Sequence, residues 1–174
     1  MILLKYILLL FSFCLVAAGC QQHRKFFDYD EVIHYYHPGD GSEPISSPDN
    51  GKSGLDTLRS GVIEGGIPRD ITDTAFIARL KEMGYSPRPL KQSAFPEIDA
   101  LFSEKDASDA SVTSCIRIYR DVLIFRKHNK VTGIAKICFE CGDYNFNGTQ
   151  TSTESFGSPN DYERLYHLLH GKGQ

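Results

Sequence analysis

The chain has 174 residues, with 19 lysines and arginines against 22 aspartates and glutamates and a net charge of −3. That balance excludes the clustered basic surface a nucleic-acid binder uses to track phosphates. The length suits one domain with a real core and is too short for two comfortable ones.

One basic residue, Lys5, precedes an apolar run from Tyr6 to Ala18, which narrows to Ala17, Ala18, Gly19 and Cys20. A charged start, a hydrophobic stretch and small residues in that order are a secretory signal. A spanning helix needs about 20 apolar residues, and this run stops sooner, at polar Gln21, Gln22, His23 and Arg24. Val16-Ala17-Ala18-Gly19-Cys20 resembles a lipobox, with alanine at 17 where leucine is most usual. The resemblance implies cleavage of residues 1–19, lipid on Cys20, and attachment to a membrane of the cell envelope. Gln21 in place of Asp points, in a Gram-negative cell, to the outer membrane facing the periplasm.

Residues 20–54 read as the lipid anchor, a possible edge strand and a flexible loop, and residues 55–174 as a single domain. In the strand, Glu31–His37, the residues Val32, His34 and Tyr36 share one face, and Ile33 and Tyr35 the other. The run from Gly39 to Gly54 holds one large apolar residue, Ile45, and reads as the loop. Phe26, Phe27, Tyr29, Tyr35 and Tyr36 are candidates for an exposed contact region, with docking onto the chain's own sheet as the alternative. Gly61–Gly66 is expected to be a turn.

A helix is expected at about 73–83, capped by Thr72 or Asp73, with Ala75, Phe76, Leu80 and Met83 at helical spacing and Gly84 at its end. Tyr85–Pro89 is proline-rich and cannot be helical. A second, shorter helix covers Pro96–Glu104, with Ile98, Leu101 and Phe102 on one face.

After a polar run to Ser111 the pattern turns to β, rich in Val, Ile, Phe and Tyr. One strand ends at Arg126, and a returning strand from Val131 to Cys141 completes a central hairpin at about 113–141. Tyr144–Phe146 adds a third strand. Ser158 caps a closing helix with Pro159 at its first position, and Tyr162, Leu165, Tyr166 and Leu169 form its buried stripe. The expected fold is α+β, a small antiparallel sheet with helices packed on one face and a helix at the C-terminus.

Of five cysteines, Cys14 leaves with the signal and Cys20 takes lipid, so Cys115, Cys138 and Cys141 remain. An exported domain meets an oxidising compartment, where disulfides persist. Cys138-Phe139-Glu140-Cys141 is a C-x-x-C, but redox pairs sit at a helix start, and no helix pattern follows Cys141. In an extended strand the two Cα atoms lie about 10 Å apart, beyond disulfide reach. A metal site on these thiols needs a further ligand such as His128 or His34, and the second half of a paired zinc motif is absent. His167 and His170 fall off the helix's apolar stripe and read as solvated.

A framework role fits better. With Lys127–Asn129 as the loop, Arg126 faces Lys130 and the register sets Cys115 opposite Cys141, within bridging distance. A bulge or a two-residue loop shifts that register. Cys138 is then a small buried hydrophobe.

Cys115, Arg120, Val122–Phe125, Ile137–Cys141 (ICFEC), Phe156-Gly157 and the helix Tyr162–Leu169 together resemble a group of small bacterial proteins, many secreted or lipid-anchored, that share an I-C-F-x-C strand. The resemblance covers about residues 72–171 and brings no activity with it. Nucleophile-elbow, zincin and phosphate-loop patterns are all missing. No catalytic residue, metal ligand or cofactor is assigned. The expected role is a non-catalytic binding module of the envelope, with an envelope protein or an incoming toxin as partner. The rival is a thiol-redox or metal protein using Cys138 and Cys141.

Overall fold

The structure is a computed structural model that describes residues 24–39, 54–105 and 115–171. The signal segment, Cys20 and most of the Gly39–Gly54 loop lie outside the described residues. In chain order the elements are β1 (Glu31–Tyr36), α1 (Gly54–Ile63), a 3-10 turn (Ala75–Arg79), β2 (Ser86–Pro89), α2 (Phe95–Leu101), β3 (Asp121–Lys127), β4 (Lys130–Cys138), β5 (Asp143–Asn147) and α3 (Pro159–His170). The strands form one antiparallel sheet in the order β2-β1-β3-β4-β5, so the fold is α+β with a C-terminal helix, as expected. No helix of the described residues is long and apolar enough to cross a membrane.

The strand expected at an edge is interior: β1 pairs with β3 on one side and β2 on the other. The edge belongs to Ser86-Pro87-Arg88-Pro89, whose prolines lack the N–H a central strand donates and so blunt the sheet.

Helices cover both faces of the sheet instead of one. β3 explains this, because Asp121–Phe125 is buried at every position, the pattern of a strand covered on both sides. On one face Val32, Leu123, Phe125, Ala135 and Ile137 pack against α2 and α3, through Ile98, Leu101, Leu165 and Leu169. On the other, Tyr35, Val122, Ile124 and Ile134 pack against Val62 of α1, against Phe76 and Ile77 of the 3-10 turn and against Leu80 just after it.

Two expectations about the N-terminal half change. Phe26, Phe27 and Tyr35 are core residues, the docking alternative and not the contact surface, and Phe27 stacks on Phe125 with ring centroids 4.2 Å apart. Gly133 makes room for it, since a Cβ there would meet the Phe27 ring at 2.2 Å. The helix expected at 73–83 forms instead as the 3-10 turn and following turns. Thr74 makes no side-chain cap, and Asp70 and Asp73 spend their carboxylates on the backbone N–H groups of Thr72 and Arg69, which competes with α-helix initiation. Its apolar residues Phe76, Leu80 and Met83 are nonetheless buried.

The central hairpin closes through a two-residue loop, His128-Asn129, with φ of 48° and 65°, the conformation that matches strand twist. Lys127 faces Lys130, and a bulge beside Phe125 leaves Asp121 opposite Ile137. The expected register is therefore corrected, and it is not what joins the cysteines. Cys115 precedes β3 and Cys141 follows β4, and the disulfide between them spans Cα atoms 5.7 Å apart at the open end of the hairpin.

Candidate functional site

The sheet face under α3 carries a buried polar cluster. On β1, side chains alternate, so His34 points to the same face as Val32; on β3, Asp121 shares a face with Leu123. The ladder pairs His34 with Leu123 and Tyr36 with Asp121, which places His34 and Asp121 on a diagonal within reach of each other. The third member is His170, in the last turn of α3.

That helix sits differently from the expected stripe. Asp161, Leu165, Leu168 and Leu169 are its buried residues, whereas Tyr166 is 49% exposed. Ser158 accepts the Asp161 N–H at 3.2 Å and the buried Asp161 carboxylate pairs with Lys105 at 2.6 Å, which fixes the rotation at the helix start. Turned this way, the helix brings His170 down onto the sheet, while His167 stays in solvent beside Glu163. Reading His170 as solvated is thereby corrected; the spacing Asp161, Leu165, Leu168 carried the signal.

Both imidazoles converge on one oxygen. His34 Nε2 lies 2.6 Å and His170 Nε2 2.8 Å from Asp121 Oδ1. Asp121 and His34 are buried, and the His170 side chain is 18% exposed and forms the open side. Burial pushes the His34 pKa down, against the pull of the Asp121 hydrogen bond and charge. For Asp121, burial acts to raise the pKa, but the bonds from His170 and His34 outweigh it and hold the carboxyl below its ordinary value. The carboxylate is therefore ionised and accepts from both rings.

Aromatic rings and one cation surround the cluster. Tyr36 and Tyr166 pack on His170 at centroid distances of 4.8 and 4.7 Å, and Phe139 approaches at 5.9 Å. Arg88, opposite His34 in the β1–β2 ladder, donates to the Leu169 carbonyl at the end of α3. Among the described residues, His34, Asp121 and His170 are the group of His, Cys, Asp and Glu side chains whose ligand atoms come close enough to hold a metal ion, all within 4.8 Å of one another.

The cysteines are elsewhere. Cys138 lies on the other face of the sheet, packed with Tyr119 and Cys141, and its sulfur accepts the Ile118 N–H at 3.4 Å. Burial raises its pKa, the opposite of an activated thiol. With Cys141 bonded to Cys115, Cys138 and Cys141 are not a dithiol. His128 is at the hairpin tip, near Asp30, with the whole length of β4 between it and Cys138.

The same face as Cys138 holds Lys136, fully buried, whose ammonium donates to the carbonyls of Val62 and Ile67 at 3.3 and 2.5 Å and lies 5.1 Å from the Tyr119 ring. Burial pushes its pKa down to about 8. An open cleft of about 430 Å³ lies on this side too, between the 3-10 turn and the hairpin, lined by Tyr35, Thr74, Ile77, Lys81 and Arg126.

No family model matches the chain, and no similarity to a curated protein or to a solved structure was found.

Proposed function

We propose that the protein is a lipid-anchored module of the cell envelope, held at a membrane through Cys20, that binds a partner and catalyses no reaction of its own. The observation that carries the reading is the Cys115–Cys141 disulfide in a chain whose first residues end in Ala-Ala-Gly-Cys. Disulfides persist in exported proteins and are rare in the reducing cytosol. In a Gram-negative cell, Gln21 favours the outer membrane facing the periplasm.

The fold adds a distance. Lys25 already bridges to Ser103, and Phe26 donates to the Phe102 carbonyl, so the folded body starts five residues after Cys20. Five residues reach at most about 17 Å. The domain therefore rides against the bilayer surface and not on a long stalk. The inert surroundings of Cys138 support binding over thiol chemistry. The binding face is assigned to the exposed ring of Tyr166 on α3, with the half-buried Phe139 ring 5.3 Å away, in place of the buried Phe26 and Phe27.

Labelling cells with a radioactive fatty acid tests the anchor. Wild-type protein takes up label and partitions with membranes, and Cys20→Ala releases an unlabelled protein; equal membrane recovery of the two removes the anchor from the proposal. Cross-linking of the lipidated protein in envelope preparations tests the module. An adduct with one envelope protein that Tyr166→Ala abolishes is expected, whereas adducts insensitive to that change reject the assigned face.

A further inference from the structure

We propose that His34, Asp121 and His170 form a binding site for one divalent transition-metal ion, with zinc the best match to their donor set. Two imidazole nitrogens and one carboxylate oxygen are the three-protein-ligand arrangement of an open metal site, in which a fourth position is left to water or to a ligand. The three donors already converge: each Nε2 is within 2.8 Å of Oδ1, and no two donor atoms are more than 4.8 Å apart. Ligand atoms of a tetrahedral zinc lie about 3.4 Å apart, given bonds of roughly 2.0–2.2 Å. Seating the ion requires His34 and His170 to move off Oδ1 by roughly 0.8 and 0.6 Å, and toward each other by up to about 1.4 Å.

The surroundings are those of a built site. His34 and Asp121 come from adjacent interior strands, held by ladder pairing on both sides, and His170 from a helix whose rotation the Ser158–Asp161–Lys105 contacts fix. Sites on such elements hold their geometry better than sites on loops. The carboxylate is ionised, so the loaded site carries a net positive charge of one with both imidazoles neutral. Arg88, facing His34 across the ladder, adds a second positive charge, and its guanidinium is bound to the Leu169 carbonyl. The open coordination position, on the exposed side of His170, thus favours an anion such as hydroxide or a carboxylate over a neutral ligand.

The test uses the full chain as the cell makes it, purified in detergent without a histidine tag, stripped with chelator, and titrated with zinc against a competing chromophoric chelator. One equivalent of zinc is expected to bind, with His34→Gln and His170→Gln each lowering affinity 100-fold or more. His167→Gln, one turn away on the same helix and in solvent, leaves affinity within threefold. Stoichiometry below 0.2, or binding unchanged in both His34→Gln and His170→Gln, overturns the proposal. Should those variants not fold, copper loaded into the wild-type chain decides: electron paramagnetic resonance coupling from two imidazole nitrogens is expected, and coupling from one or none refutes the site.

Discussion

Reduction of the Cys115–Cys141 bridge is expected to cost stability that grows with the logarithm of the chain length it encloses. The sequence separation is 26 residues, and the loop contains the β3–β4 hairpin. Chain entropy released to the unfolded state for a loop of that length comes to about 3.5 kcal/mol at 25 °C. For a domain of this size each kcal/mol moves the melting temperature by roughly 2–4 °C, so the full effect is a drop of about 7–14 °C. The assay is thermal unfolding followed by circular dichroism, with and without a phosphine reductant, on wild type and on Cys115→Ser/Cys141→Ser. The reduced wild type and the double variant should melt together, well below the oxidised protein. Cys138→Ala controls for the remaining thiol: removing a buried sulfur lowers the melt in both states and leaves the oxidised–reduced gap intact. A gap under about 2 °C, or one that disappears in Cys138→Ala, refutes the pairing. With it would go the main structural support for an oxidising compartment.

Gly133→Ala places a methyl where the Phe27 ring stands and should cost about 1–3 kcal/mol in urea unfolding, the range for overpacking a core; Phe27→Leu in the same chain should recover part of that loss, and strict additivity would argue against direct contact. Lys136 gives a pH signature. Its folded pKa of about 8 lies below the 10.5 of the free side chain, so the unfolded chain binds the proton more tightly and stability rises with pH between about 8 and 10.5. The gain is at most roughly 3 kcal/mol. The buried Cys138 thiol, its pKa raised by burial, opposes it once the unfolded thiol ionises near 9. Tyr119, raised to about 12, opposes it with the other buried tyrosines above 10, so the slope is read between pH 8 and 10 in a Cys138→Ala background. Urea titrations there should show Lys136→Met flattening the rise; an unchanged slope rejects the account.

Much of the fold was legible because local pattern and tertiary role agree. The β-branched and aromatic composition of Val122–Cys138, the turn at His128-Asn129 and the Ser158-Pro159 helix start each follow from short-range chemistry. Partnership was not legible. Ser86–Pro89 reads as a proline-rich turn, and only the finished sheet shows it taking the edge that β1 leaves. α1 escaped notice because Ser60 and Gly61 weaken its propensity, although Leu55, Leu58 and Val62 hold helical spacing. The three members of the polar cluster are 87 and 49 residues apart in sequence, a separation at which no motif spacing applies. His170 was further hidden by the choice of stripe, since Tyr166 competes with Leu168 for the buried side and loses.

The position of that cluster bears on both proposals. It joins β1, which begins eleven residues after Cys20, to the last turn of α3, so the two ends of the domain are fastened at Asp121. Without metal the fastening is two hydrogen bonds to a charged oxygen, each contributing about 1.5–3 kcal/mol. With metal the same three side chains hold the ion, and stability gains RT ln(1 + [M]/Kd), about 2.7 kcal/mol at a hundredfold excess over Kd. The gain must come from closing the same contact that the hydrogen bonds make, so it falls on the α3 end more than on the hairpin. Hydrogen exchange separates a specific site from general stabilisation: on zinc addition, protection should rise at amides of Leu168–Gly171 and of His34–Tyr36, while the His128-Asn129 turn is unchanged. A uniform rise across the domain would mean that the ion does not act through His34, Asp121 and His170.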